Sequence, residues 1–188
     1  MPCAIQNAML ISDSSLRLAI KNISAFGDTD VFPVPLEKHW FGDRPEVVMK
    51  LLREIRDDVD SAFLQLPVFT TTELTNHGHF GFRSATQIEP LWNAFFLATV
   101  IEAAEKIELH RQPIDRVYSY RFAPDENKGS LFSSVGWRDF HQKGLSLAEE
   151  FEYVGVVDIS DFYGRIYHHR LENVLKTCLL YTSPSPRD

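Results

Sequence analysis

The stretch VGVVDISDFYGRIYHHR, residues 154–170, sets one carboxylate at the end of a run of small and β-branched residues. Such a run predicts a strand over 153–159, and a carboxylate at the end of a buried strand is costly unless something charged sits beside it. Asp158 and the carbonyl of Ile159 would then stand at a sheet edge, ahead of a tight aromatic turn and a helix. That pairing suits a hard divalent cation, which takes oxygen ligands and keeps water and substrate phosphate for the rest of its shell. In two-metal phosphoryl transfer, a carboxylate so placed bridges both ions while they clamp the attacking and leaving oxygens. A strand-terminal Asp is also a common helix cap, so the D-I-S-D pattern alone leaves both readings open.

Other ligating residue types are poorly spaced. His77 and His79, in NHGH, lack a third ligand nearby. Adjacent His168 and His169 point about 100° apart on a helix, so they are expected to pack or to contact backbone. Cys3 and Cys178 are too few, and too far from any His spacing, for a zinc site or a disulfide framework. A net charge of −7 argues mildly against a phosphate-rich partner, although part of the excess acid is local to REIRDDVD at 53–60. The 44% hydrophobic and 24% charged composition is that of an ordinary soluble protein, and the length fits a domain or a domain and a half. No apolar run approaches the roughly 20 residues that cross a bilayer, so no membrane partner is expected. MPCAIQNAMLISDSS lacks a basic segment followed by a long apolar one, so no secretory signal is read and the cytoplasm is the expected location.

The elements that would position Asp158 follow from caps and periodicity. Ser12 or Asp13 caps a helix to about Ile23, with Leu16, Ile20 and Ile23 on one face. FGDTDVFPVPLEKHWF, residues 26–41, reads as extended and packed. Asp43 and Pro45 start a long helix whose buried stripe is Val48, Leu51, Leu52, Ile55 and Val59. Two short strands flank a turn at Asn76-His77-Gly78, and Pro90 opens an apolar helix expected to lie against a sheet. RVYSYRF (116–122) reads as a strand, DENKGS (125–130) as a loop and WRDFHQKGLSLAEEF (137–151) as an amphipathic helix. GRIYHHRLENVLK starts one more helix, and Trp40, Trp92 and Trp137 are expected in the core.

VVDISDFYGRIYHHRLENVL closely resembles motif A of reverse transcriptases, in particular the bacterial retron-like and phage-defence-associated enzymes. FGDTDVFPVPLEKHWF, GFRSATQIEPLWNAFFLATVIEAAEKIE, VYSYRFAP and GWRDFHQKGLSLAEE resemble, in order, the segments that precede motif A there. The resemblance covers most of Phe26 to Lys176. It implies an α/β fold: a partial right-hand polymerase, fingers plus the first part of the palm, behind a helical N-terminal segment. The regions would be 1–66 helical, 67–177 fingers and partial palm, and 178–188 a non-native tail. It further implies that Asp158 is the catalytic carboxylate on two Mg²⁺ ions, with the Ile159 carbonyl completing one coordination shell. Tyr163 would be the steric gate against a ribose 2′-OH, and Phe162 would support its ring. Arg83 would bind the dNTP triphosphate, where a guanidinium pairs with phosphate oxygens. Arg121 would contact template or primer backbone. The implied partners are an RNA template, a DNA or RNA primer and dNTP, and the branch implies a role in anti-phage defence. As core aromatics and salt-bridge partners, Phe162, Tyr163, Arg83 and Arg121 also have ordinary structural readings.

The closing string CLLYTSPSPRD breaks a helical pattern and resembles one reading frame of a sequencing-library transposon adapter. The natural chain is therefore expected to continue past Thr177. The family's second acidic motif, Y-x-D-D, does not occur; the pair Asp57-Asp58 lies in a polar helix, and Asp161 is expected to point away from the site. The expectation is an active RNA-directed DNA polymerase as the full-length parent and an inactive 188-residue fragment. The alternatives are an inactive nucleic-acid-binding or assembly module of the same fold, and a template-independent nucleotidyl transferase.

Overall fold

A computed structural model describes residues 11–27, 37–77, 81–159 and 162–179. The chain divides into two compact units, one holding the chain up to Glu102 together with Pro124–Leu131, the other Ala103–Ala123 and the chain from Phe132. Helices dominate, accompanied by two two-stranded antiparallel sheets, so the fold is mixed α and β.

In the first unit, α1 (Asp13–Phe26) begins at Ser12, whose hydroxyl accepts the Ser15 N–H. It ends at Gly27, whose φ of 90° suits a residue without Cβ and whose N–H reaches the Ile23 carbonyl at 2.8 Å. Leu16, Leu18, Ala19, Ile20 and Ile23 form its buried face, as the spacing predicts. The expected extended segment gives way at its end to a short helix, α2 (Glu37–Asp43), which buries Phe41 at 1% exposure and leaves Trp40 half-exposed; residues 28–36 lie outside the described set.

Pro45 opens α3 (Pro45–Asp57), which buries Val48, Met49, Leu52 and Ile55. The long helix expected here breaks at Asp58, because that carboxylate accepts the Ser61 N–H and caps a separate helix, α4 (Val59–Gln65). Val59 is consequently exposed rather than part of the stripe. Strands β1 (Thr70–His77) and β2 (Gly81–Ile88) pair from Thr70–Ile88 to His77–Gly81. Asn76 and His77 thus belong to β1 rather than to a turn, and Gly78 lies outside the described set.

Glu89 caps α5 (Pro90–Leu109), accepting the N–H groups of Leu91 and Trp92. The sheet expected beneath this helix is replaced by helical partners. The Trp92 indole meets Phe63 of α4 edge-on at 6.0 Å and donates to the Leu66 carbonyl at 2.9 Å. Glu102 accepts from the Ser12 N–H and from the Ser12 and Ser15 hydroxyls, placing a carboxylate at the N-terminus of α1.

Residues 116–121 do not form the expected strand; regular pairing is confined to β3 (Phe122–Asp125) and β4 (Ser130–Phe132). One backbone group a ladder would use, the Tyr120 carbonyl, accepts from the Arg111 guanidinium instead, and the same guanidinium donates to the Ser119 hydroxyl. Between β3 and β4, Asp125 accepts the N–H groups of Asn127 and Lys128, and Gly129 takes a φ of 70°.

The second unit also holds α6 (Trp137–Glu150), a 3₁₀ turn over Tyr163–Arg165 and α7 (His168–Leu179). The Asp139 carboxylate accepts the Gly136 N–H and so fixes the start of α6. No residue of α6 is buried, and Trp137, expected in the core, is 69% exposed and stacks on His141.

Candidate functional site

The strand expected at 153–159 is absent: residues 151–159 have no regular structure and are exposed, Val157 at 94%. A strand exists only through its ladder, and among the described residues nothing pairs with this segment. Asp158 is therefore a solvated carboxylate, not a buried one, and the cost that drew attention to it is not incurred here. One of its oxygens accepts the N–H of Ile159 at 2.8 Å; among the described residues no cation and no other donor meets it. The 3₁₀ turn and α7 follow it, so the expected turn and helix are present without the expected strand.

The other candidate residues are placed as follows. Phe162 is exposed beside the turn, and the backbone of Tyr163 opens the turn while its side chain lies outside the described set. Arg83 is exposed on β2 opposite Thr75, with no carboxylate within ion-pair distance among the described residues. It belongs to the first unit, whereas Asp158, Phe162 and Arg121 belong to the second. Among the described residues no hydrogen bond or ion pair joins Asp158 to Arg121.

Arg121 has a structural engagement of its own. Its guanidinium reaches the Glu108 carboxylate at 3.3 Å and also donates to the Gln112 carbonyl. Glu108 in turn binds Arg111 at 2.6 Å and accepts the Phe122 N–H at 2.9 Å. Desolvation pushes the Glu108 carboxyl up, but the Phe122 N–H and the two guanidiniums outweigh it and hold the group below the usual range. This knot ties the end of α5 to the start of β3, and sequence reading missed it. The i, i+3 spacing of Glu108 and Arg111 was the visible signal; the return of Arg121 onto the same carboxylate depends on the path between them.

His169 faces Glu172 across one turn of α7 at 3.8 Å, and both His168 and His169 are exposed. The side chain of His77 and all of His79 lie outside the described set. Among the described residues no three His, Cys, Asp or Glu side chains gather into a metal-binding group, and no helix is long and apolar enough to cross a membrane.

Asp158 is an exposed carboxylate, the donor type a hard cation takes, and among the described residues no guanidinium competes for it. The described residues add no second carboxylate beside it, so they do not compose the donor set that a pair of Mg²⁺ ions needs. Compared with protein-family models, curated proteins and solved structures, the chain matches none.

Proposed function

We propose that this sequence carries the motif A segment of an RNA-directed DNA polymerase of the right-hand type, which extends a primer with dNTPs on an RNA template. The observation that supports the reading most directly is the setting of Asp158: an exposed carboxylate that meets no cation among the described residues, ahead of a turn and a helix. The two-stranded ribbon of β1 and β2, with Arg83 exposed on it, agrees with a fingers-like hairpin offering a guanidinium to a triphosphate. Arg121 is better read as a structural cation, because Glu108 and Gln112 engage it.

The missing carboxylates would have to come from residues outside those described, and no chemical step is assigned to Asp158 alone. A primer-extension assay tests the reading. The 188-residue chain should not incorporate dNTPs. A longer chain supplying the further acidic motif should copy an RNA template in Mg²⁺, and Asp158→Ala should abolish that activity without changing the circular dichroism spectrum. Full activity in the Asp158→Ala protein would refute the reading. Homopolymeric product would identify a template-independent transferase, and nucleic-acid binding without incorporation would identify a binding module.

A further inference from the structure

The first unit contains a cavity of about 460 Å³ between α1, α2 and α3, within the range of roughly 300–1,000 Å³ in which small-molecule sites fall. Buried Ile20, Phe41 and Met49 back it, and Gly42 and Pro45 wall it. Gly42 also explains the close approach of α2 to α1, since a Cβ there would lie 2.8 Å from the Ser24 hydroxyl.

Two cations stand at this apolar space. Arg17 and Lys21 lie one turn apart on α1 and both line the cavity. Like charges at this spacing oppose helix formation, so the pair is unfavourable unless an anion joins it. Elsewhere in the unit Asp13 binds the half-buried Arg53 at 2.6 Å and Arg56 at 2.8 Å, whereas exposed Arg44 and Arg83, like Arg17 and Lys21, have no carboxylate within 4.0 Å among the described residues. Glu46 also lines the cavity. The same two cations border a second, smaller cavity of about 240 Å³ with Ser14, Leu18 and Glu126.

We propose that the larger cavity binds an amphipathic carboxylate, with its acyl or aryl body on Ile20, Phe41 and Met49 and its anionic head at Arg17 and Lys21. The apolar floor supplies burial, and Met49 adapts to the shape of the body. The two guanidinium and ammonium groups select the sign of the head. Glu46 on α3 adds discrimination, repelling a second negative charge placed on that side.

Isothermal titration calorimetry of the 188-residue chain with decanoate, kept below its micelle concentration, reads the site. One-to-one binding is expected, with decyltrimethylammonium weaker by roughly tenfold or more. The Arg17→Gln, Lys21→Gln double variant alters exposed residues and should fold normally, yet it should lose decanoate affinity by roughly tenfold. Equal binding of the two head groups, unchanged affinity in the double variant, or no heat at millimolar decanoate at both about 15 °C and about 35 °C would each overturn the proposal. The site is independent of the polymerase reading, so either can fail without the other.

Discussion

At the scale of single residues, the ionic groups with the clearest work are structural. Asp13 opens α1 and receives two guanidiniums from α3, which hold its carboxyl below the usual 3.8, at about 2, chiefly through the hydrogen bonds from Arg53 and then Arg56. A carboxyl depressed by folding adds stability above its unfolded value and loses it as pH falls towards the folded one. The contribution of Asp13 is therefore complete above pH 3.8 and disappears on acidification to about 2. Glu108 has the same sign, so its contribution also fades as pH falls below its ordinary 4.5. Urea unfolding followed between pH 5 and pH 2 should show this loss, and Asp13→Asn should flatten the part of the curve below pH 3.8. A curve of unchanged slope in that variant would show that the Arg53 and Arg56 contacts are not formed in solution.

At the scale of elements, helices with a cap and a stripe form where their residues say they should. Ser12 before Leu16, Ile20 and Ile23, and Pro45 before Val48, Leu52 and Ile55, are local signals that need nothing remote to act. Elements whose existence depends on a partner were legible only where that partner is the next segment of the chain, as in β1 and β2. The β-branched run at 154–157 has strand composition, but composition supplies no ladder, and the segment stays unpaired. RVYSYRF has the same character, yet the Arg111 guanidinium takes the Tyr120 carbonyl. The same limit applies to the candidate site, where the position of Asp158 in the chain order was readable and its exposure was not. Helix α5 shows how much one well-placed ring matters. Trp92 is buried, meets Phe63 and donates to the Leu66 carbonyl, so Trp92→Ala should cost about 3–5 kcal/mol by chemical denaturation. Asp58→Ala should cost about 1 kcal/mol through the lost cap of α4. A Trp92→Ala effect no larger than that of Asp58→Ala would place α5 away from α4.

At the scale of the whole molecule, the two units differ in what they bury. Phe41, Leu16, Ile23, Leu52 and Val48, the largest fully buried side chains, all belong to the first unit. Among the described residues of the second, the buried hydrophobics are Ala103 and Ala104, while Trp137, Leu145, Tyr153, Val156, Val157 and Ile159 remain exposed. Two buried alanines supply little of the apolar burial that offsets chain entropy. Exposed apolar residues in this number favour cover by further protein. On the proposed reading, that cover is the rest of a palm sheet, with 153–159 as a strand waiting for its neighbours. Limited digestion with chymotrypsin separates the two units by this criterion. Residues 152–159 donate no backbone hydrogen bond to another backbone group among the described residues, so cleavage after Phe151 and Tyr153 should precede any cut within α1 or α3. Mass spectrometry of the early digest should find a lasting fragment that retains α1 to α4. In a longer chain that pairs the segment, the same two bonds should become resistant while the first unit behaves as before. Equal resistance of Phe151 and Tyr153 in the 188-residue chain and the longer one would show that 153–159 needs no partner, and would remove the case for a missing strand.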